Sequence, residues 1–134
     1  MVKGKVKQLA VLMSALFFLY GCAAVLLGVG AGMGIGAYKW VEGRLVREYP
    51  LSYARAWDAT NTALANLRIS ISNSIDEGNK GNIEAVKRDG TKVSIKLKYR
   101  GQGVTSIAVR VGMFGDRLEA EKIHNAIAAA AGIH

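Results

Sequence analysis

The chain divides into a long uncharged stretch and a longer part in which hydrophobic and polar residues alternate in short patterns. No charged residue occurs between Leu9 and Tyr38. From Trp40 onwards, apolar positions recur every second residue, as in strands with one buried face, or at helical spacing. The order of these patterns is β-α-β-β-β-β-α. It predicts an α+β domain in which an antiparallel sheet of four to five strands is covered on one face by two helices, after an N-terminal apolar helix.

The only proline separates the first predicted strand from the first predicted helix. Residues 40–49 form the strand, Pro50 ends it, and Ser52 is placed to cap the helix. The apolar and aromatic positions that follow recur at helical spacing along one face, which we expect to contact the core. They are Tyr53, Trp57, Thr60, Leu64 and Leu67.

Gly90 determines the register that we predict for the central hairpin. A three-residue loop with Gly90 in the left-handed conformation places Val93 opposite Ala85 and Ile95 opposite Ile83. This register keeps the apolar residues on one face, whereas a two-residue loop does not. The strands on either side are predicted from Ile69, Ile71 and Ile75 and from Ile107, Val109 and Val111.

The last predicted helix has clear signals at both ends. Asp116 precedes Glu119 by three residues, which is the spacing of a capping box, and Gly132 is typical of a helix end. The face that we expect to be buried consists of Ala120, Ile123, Ile127 and Ala130.

The first 22 residues have the order of a secretory signal peptide, with three lysines, an apolar segment and then Leu19-Tyr20-Gly21-Cys22. The last four resemble the lipobox of bacterial lipoproteins, in which a large aliphatic residue stands three before the cysteine and a small one immediately before it. Tyr20 departs from that pattern, since small residues are commoner there. The resemblance implies cleavage after Gly21, a lipid on Cys22 and acylation of the new amine. It predicts a signal peptide over 1–21, a lipid-anchored glycine-rich apolar segment over 22–39 and a compact α+β domain over 40–134.

Anchoring through Cys22 has one alternative. The uncharged stretch exceeds the roughly 20 residues that span a bilayer, so Cys22 can also be an apolar residue of an uncleaved transmembrane helix in the inner membrane. The residue after the cysteine is Ala23, not the aspartate that resembles an inner-membrane retention signal in Gram-negative lipoproteins. The resemblance therefore implies an outer-membrane lipoprotein of the cell envelope that faces the periplasm.

Glycines recur at fixed spacing after the cysteine. In a helix, Gly28, Gly32 and Gly36 lie on one stripe, where they would let another helix approach closely and allow an oligomer to form. The alternative is a flexible tether, because each glycine costs a helix about 1 kcal/mol relative to alanine.

Basic residues are concentrated on one predicted hairpin. Lys92, Lys96 and Lys98 alternate with apolar residues, so we expect them to project from the outer face of the sheet. Without the three signal-peptide lysines, the net charge of +8 becomes +5, which favours anionic surfaces. Such lysines also keep a strand soluble and protect sheet edges. Nucleic acid is not expected, because no exposed aromatic residues interleave with the charges. The candidate contacts for an anionic ligand are Lys87, Arg88, Lys92, Lys96, Lys98 and Arg100.

Signatures of catalysis are absent from the sequence, and we expect no enzyme, no metal and no cofactor. His124 and His134 have no partner at metal-ligand spacing and are interpreted as solvated surface residues. Asp116 and Glu119 are explained by capping. There is no nucleophile elbow, and no glycine-rich phosphate loop with its lysine.

Four segments together resemble a family of small proteobacterial lipoproteins that is catalogued only as a domain of unknown function. They are residues 38–49, the helix that contains Trp57, residues 89–93 and the run Val111-Gly112-Met113-Phe114-Gly115-Asp116. Met113 stands where a threonine is more usual. The resemblance implies an envelope lipoprotein and no particular activity. We therefore expect a non-catalytic structural or partner-binding domain, or alternatively a module that binds an anionic lipid or glycan through its basic sheet face.

Overall fold

The computed structural model describes residues 35–133, so the predictions for the signal peptide, Cys22, Gly28, Gly32 and His134 lie outside the described residues. Residues 35–133 belong to one compact unit. Ile35 and Tyr38, which precede the first strand, are partly buried against its core. The elements are β1 (Lys39–Val41), β2 (Arg44–Tyr49), α1 (Tyr53–Asn66), β3 (Ser70–Asp76), β4 (Lys80–Val86), β5 (Lys92–Gly101), β6 (Val104–Val111) and α2 (Arg117–Ala131).

The predicted α+β class is confirmed, with six strands in place of four or five. All neighbouring strands are antiparallel, in the order β1-β2-β6-β5-β4-β3. Residues 40–49 are not one strand but a hairpin, because Glu42 and Gly43 both adopt positive φ, 51° and 79°. Two such residues form the tight turn that suits a two-residue hairpin. Glutamate is unusual in this conformation, which is why the sequence pattern did not indicate a turn.

The predicted register of the central hairpin is confirmed. Gly90 has a φ of 89°, and the Lys87 amide donates to the Thr91 carbonyl oxygen at 2.9 Å, which closes a three-residue loop. Val93 therefore pairs with Ala85, as predicted, and Ile95 pairs with Ile83. All four of these paired side chains are buried under the helices.

Both helices begin and end where the sequence predicts, within one residue. The Ser52 side chain accepts from the Arg55 amide at 3.3 Å, and Gly132 ends α2 in the left-handed conformation. The predicted α1 face is largely in the core, with Thr60 and Leu64 fully buried. Leu67 is exposed, contrary to the prediction, because the helix ends at Asn66 and Leu67 is only its C-cap.

The strand β3 departs from the predicted alternation. Its ladder with β4 shifts between Ile71 and Asn73, which is a β-bulge. As a result Ile71 lies opposite Ala85 on the helix side of the sheet, whereas Ile75 lies opposite Asn82 on the other side. The isoleucines of this strand therefore do not share one face, and every residue of β3 is exposed.

Within residues 35–133, neither helix is long and apolar enough to cross a membrane.

Candidate functional site

One face of the sheet is covered by both helices and the other is not. Residues that alternate with the buried positions of β2, β4, β5 and β6 therefore project from an open face. Within the described chain, the carboxylates along these strands on that face are Glu48 and Glu84. We call this surface the basic face because of the cations that it carries: Lys39, Arg44, Lys80, Lys92, Lys96, Lys98, Arg100 and Arg110.

The sequence-predicted lysines of β5 all lie on the basic face, Lys96 and Lys98 in its middle and Lys92 at the end where β5 begins. Lys96 lies between Asn82 and Ala108, and Lys98 lies between Lys80 and Ser106. Arg100 extends this row, and its Nε lies 3.8 Å from a carboxylate oxygen of Glu48. The basic side chains of β5 thus share one face of the sheet, as the two-residue period of the sequence predicts.

Lys87 and Arg88 do not join this row. The Lys87 ammonium lies 2.8 Å from a carboxylate oxygen of Glu119 in α2, on the helix side of the sheet. This hydrogen bond raises the pKa of Lys87 and lowers the pKa of Glu119. Arg88 lies in the exposed hairpin loop. Lys87 therefore forms an ion pair with Glu119 on the helix side and is not one of the cations of the basic face.

Gly36 does not lie in a helix. Residues 35–38 have no regular secondary structure, and the Gly36 amide donates to the Glu48 carbonyl oxygen at 2.8 Å. The Arg47 guanidinium donates back to the Gly36 carbonyl oxygen at 2.9 Å and stacks on the Tyr38 ring. The predicted helical stripe of glycines thus does not reach this position, which instead ties the start of the domain to β2.

A pocket of about 590 Å³ lies at one end of the basic face. Three cations line it, Arg44, Lys92 and Arg110, and none of them lies within 4.0 Å of a carboxylate in residues 35–133. Glu84 also lines the pocket, but one of its oxygens already accepts from Asn82 and Ser94, at 3.2 and 3.3 Å. The pocket therefore carries a net positive charge, which suits an anionic group.

The loop 112–115 borders this pocket, which Gly112 and Met113 help to line. Gly112 and Gly115 at its ends both have positive φ, and the Arg110 guanidinium donates to the Met113 carbonyl oxygen. Gly115 packs directly on the backbone of Gly43, so the loop is held against the β1–β2 turn. The side chains of Met113 and Phe114, which we call the apolar tip, are 78% and 89% exposed. The sequence identified this run as a motif but gave no sign that it lies beside Arg44.

His124 is buried, contrary to the prediction of a solvated surface residue. Its Nδ1 lies 2.6 Å from the Tyr49 hydroxyl, and its Nε2 lies 2.8 Å from the Leu45 carbonyl oxygen. The neutral ring satisfies both contacts, with Nε2–H donating to Leu45 and Nδ1 accepting from Tyr49. Burial lowers the pKa of His124 to about 4. The signal was present in the sequence, since His124 lies next to Ile123 and three residues before Ile127, on the buried stripe.

The single histidine of the described residues and their carboxylates do not come together in a metal-binding cluster. Over residues 35–133, no group of three or more His, Cys, Asp or Glu side chains is placed to hold a metal ion. His124 is enclosed by its two partners and has no access to a substrate. What this part of the chain presents to solvent is positive charge on the basic face and the apolar tip beside it.

Comparison with known proteins gives a family but no activity. None of the curated proteins matches the chain. A family model described as "Protein of unknown function (DUF3568)" matches residues 5–130, which is nearly the whole sequence. The chain therefore belongs to the DUF3568 family of proteins of unknown function.

Proposed function

We propose that this protein is an envelope lipoprotein, anchored through a lipid on Cys22, whose domain is a non-catalytic module that binds an anionic ligand. The observation that carries this proposal is the basic face, an uncovered sheet surface whose strands bear many cations and few carboxylates. The three lysines of β5 on this face, Lys92, Lys96 and Lys98, are all exposed. An anionic lipid or glycan in the envelope would meet these charges without any rearrangement of the fold.

The free energy that each cation contributes near an anionic surface is consistent with binding through the whole basic face. A lysine or arginine held near an anionic membrane contributes about 1 kcal/mol, and the contribution decreases within a Debye length. Several such residues on one rigid sheet give useful affinity at moderate salt, whereas each alone gives little. The geometry thus favours an extended anionic surface or polymer as the ligand.

Binding to anionic vesicles tests the proposal. We expect the change of Lys92, Lys96 and Lys98 to serine to weaken binding of residues 34–134 to anionic vesicles roughly 100-fold at low salt, because three contributions of about 1 kcal/mol are lost. Binding is measured by co-sedimentation against neutral vesicles over a salt series.

Lys87→Ser is the matched control for these lysines. Lys87 is already paired with Glu119 on the other side of the sheet, so its loss should leave vesicle binding close to wild type. If wild type shows no preference for anionic vesicles, the ligand is not an anionic surface.

A second candidate function is the binding of an envelope protein. The strand β3 is an edge of the sheet, is exposed along its whole length, and carries Ile71 and Ile75 in partly exposed positions. An edge of this kind can pair with a strand of a partner. Insensitivity of the interaction to salt, with loss on Ile75→Lys, would favour this function over anion binding.

The anchor has its own test. Cys22→Ala is expected to yield protein that keeps residues 1–21, carries no acyl mass and no longer fractionates as a cleaved, acylated protein. Intact mass spectrometry of the membrane fraction measures this, because acylation adds the mass of two or three chains and cleavage removes the signal peptide. A wild-type protein that retains residues 1–21 without acyl mass would instead indicate the uncleaved transmembrane helix.

A further inference from the structure

The apolar tip is costly for a domain that stays in water. Met113 and Phe114 are large apolar residues, yet they are more exposed than any of the other apolar side chains of comparable size in residues 35–133. They are also held in place, since the loop ends in left-handed glycines and rests on the Gly43 backbone. Large apolar side chains fixed in an exposed position are typical of a surface that another phase or molecule covers.

The residues around the apolar tip restrict the kind of partner that can bind there. Met113 lines the same pocket as Arg44, Lys92 and Arg110, and the Arg110 guanidinium contacts the Met113 backbone directly. Positive charge without a carboxylate partner therefore adjoins exposed hydrocarbon. A soluble glycan would satisfy the cations and leave Phe114 in water. A membrane interface offers a layer of phosphates directly above hydrocarbon, which matches both parts of the site.

We propose that this end of the domain docks on an anionic phospholipid bilayer, with Met113 and Phe114 inserted at the level of the first acyl carbons and a headgroup phosphate held by Arg44, Lys92 and Arg110. The inference rests on the proposed function and assigns its ligand. It also assigns an orientation, because the end of the basic face that carries Arg44, Lys92 and Arg110 lies nearest the bilayer.

Vesicle binding by a tip variant tests the inference with the compact unit 34–134. Phe114→Ser is expected to weaken binding to phosphatidylglycerol-containing vesicles roughly tenfold, since burial of most of a phenyl side chain is lost. It should leave the salt dependence unchanged, whereas Lys92→Ser should reduce that dependence. Because Phe114 is 89% exposed, the thermal midpoint of the variant should equal that of wild type.

Ile71→Ser is the matched control, since Ile71 is 40% exposed but lies on the helix side of β3, the sheet edge that is separated from β6 by two strands. It should bind these vesicles as wild type does. Polyglutamate supplies negative charge without hydrocarbon, and on it Phe114→Ser should bind as wild type does. Inorganic phosphate at millimolar concentration should not displace wild type from the vesicles.

Several results would overturn the inference. Equal vesicle binding by wild type and Phe114→Ser would show that the tip does not insert. An equal loss on polyglutamate would indicate an acidic protein partner, and displacement by inorganic phosphate would indicate a site for the phosphate group alone. In each of these cases a loss of binding in the triple lysine variant would still support the broader proposal of an anionic ligand. If neither Phe114→Ser nor the triple lysine variant changes vesicle binding, the docking of the apolar tip and the anionic ligand of the basic face are both wrong.

Discussion

Gly115→Ala is expected to lower the free energy of unfolding by about 2 to 5 kcal/mol. One part of the cost is conformational, since Gly115 has a φ of 81° and a left-handed backbone costs a residue with a Cβ about 1–2 kcal/mol. The other part is steric. A Cβ on Gly115 would lie 2.8 Å from the Gly43 Cα and closer still to its carbonyl oxygen, so backbone must move, at about 1–3 kcal/mol.

Gly103→Ala separates the two parts. Gly103 also has a positive φ, 74°, but nothing lies within 4 Å of the Cβ that it would gain. We expect only the conformational cost of about 1–2 kcal/mol there. Urea denaturation of both variants measures the difference, and equal losses would show that the contact between the β1–β2 turn and the loop 112–115 contributes nothing to stability.

Acidification is expected to remove about 3 kcal/mol of stability through His124. The pKa of this buried imidazole is about 4 in the folded domain, against an ordinary value of 6.5. Between these values the unfolded chain takes up a proton that the folded domain does not. The stabilisation is therefore complete above pH 6.5 and is lost as the pH falls towards 4, by about 1.4 kcal/mol per pH unit.

His124→Gln tests the assignment because glutamine does not titrate. The variant will be less stable at pH 7, since the geometry of the bonds to Tyr49 and Leu45 changes, but its free energy of unfolding should be flatter between pH 6.5 and 4.5. Urea midpoints at three pH values in that window give the slopes. Parallel slopes for variant and wild type would mean that other groups cause the acid sensitivity.

Much of this fold could be predicted because local rules agree with the tertiary structure. The alternation in β5 fixes which side chains face the core, and Gly90 fixes how β5 pairs with β4. The failures occur where backbone geometry departs from the residue type. Glu42 accepts a positive φ that is unusual for glutamate, and the bulge in β3 reverses the side on which Ile75 lies.

Of the candidate site, the sequence predicts only the residues that share one face of a single strand, β5. Lys92, Lys96 and Lys98 share a face by their spacing, so sequence alone places them together. Arg110 joins them across the β5–β6 hairpin, where it lies opposite Ser94. Arg44 joins them only because β2 pairs with β6, a contact between distant parts of the chain that no local pattern specifies. Lys87 leaves the set for a similar reason, since Glu119 reaches it from a helix that follows two strands later.

The pairing of β2 with β6 also governs the order in which the domain can fold. The strands β3 to β6 follow one another along the chain and pair as adjacent hairpins. In contrast, Leu45 of β2 pairs with Val109 of β6, which is separated from it by α1 and by the strands β3, β4 and β5. Non-local pairings of this kind slow folding, because loop closure costs entropy before the contacts stabilise it. A chain delivered across a membrane from its N-terminus would thus remain incompletely folded, with β2 paired to β1 on one side only, until β6 has crossed.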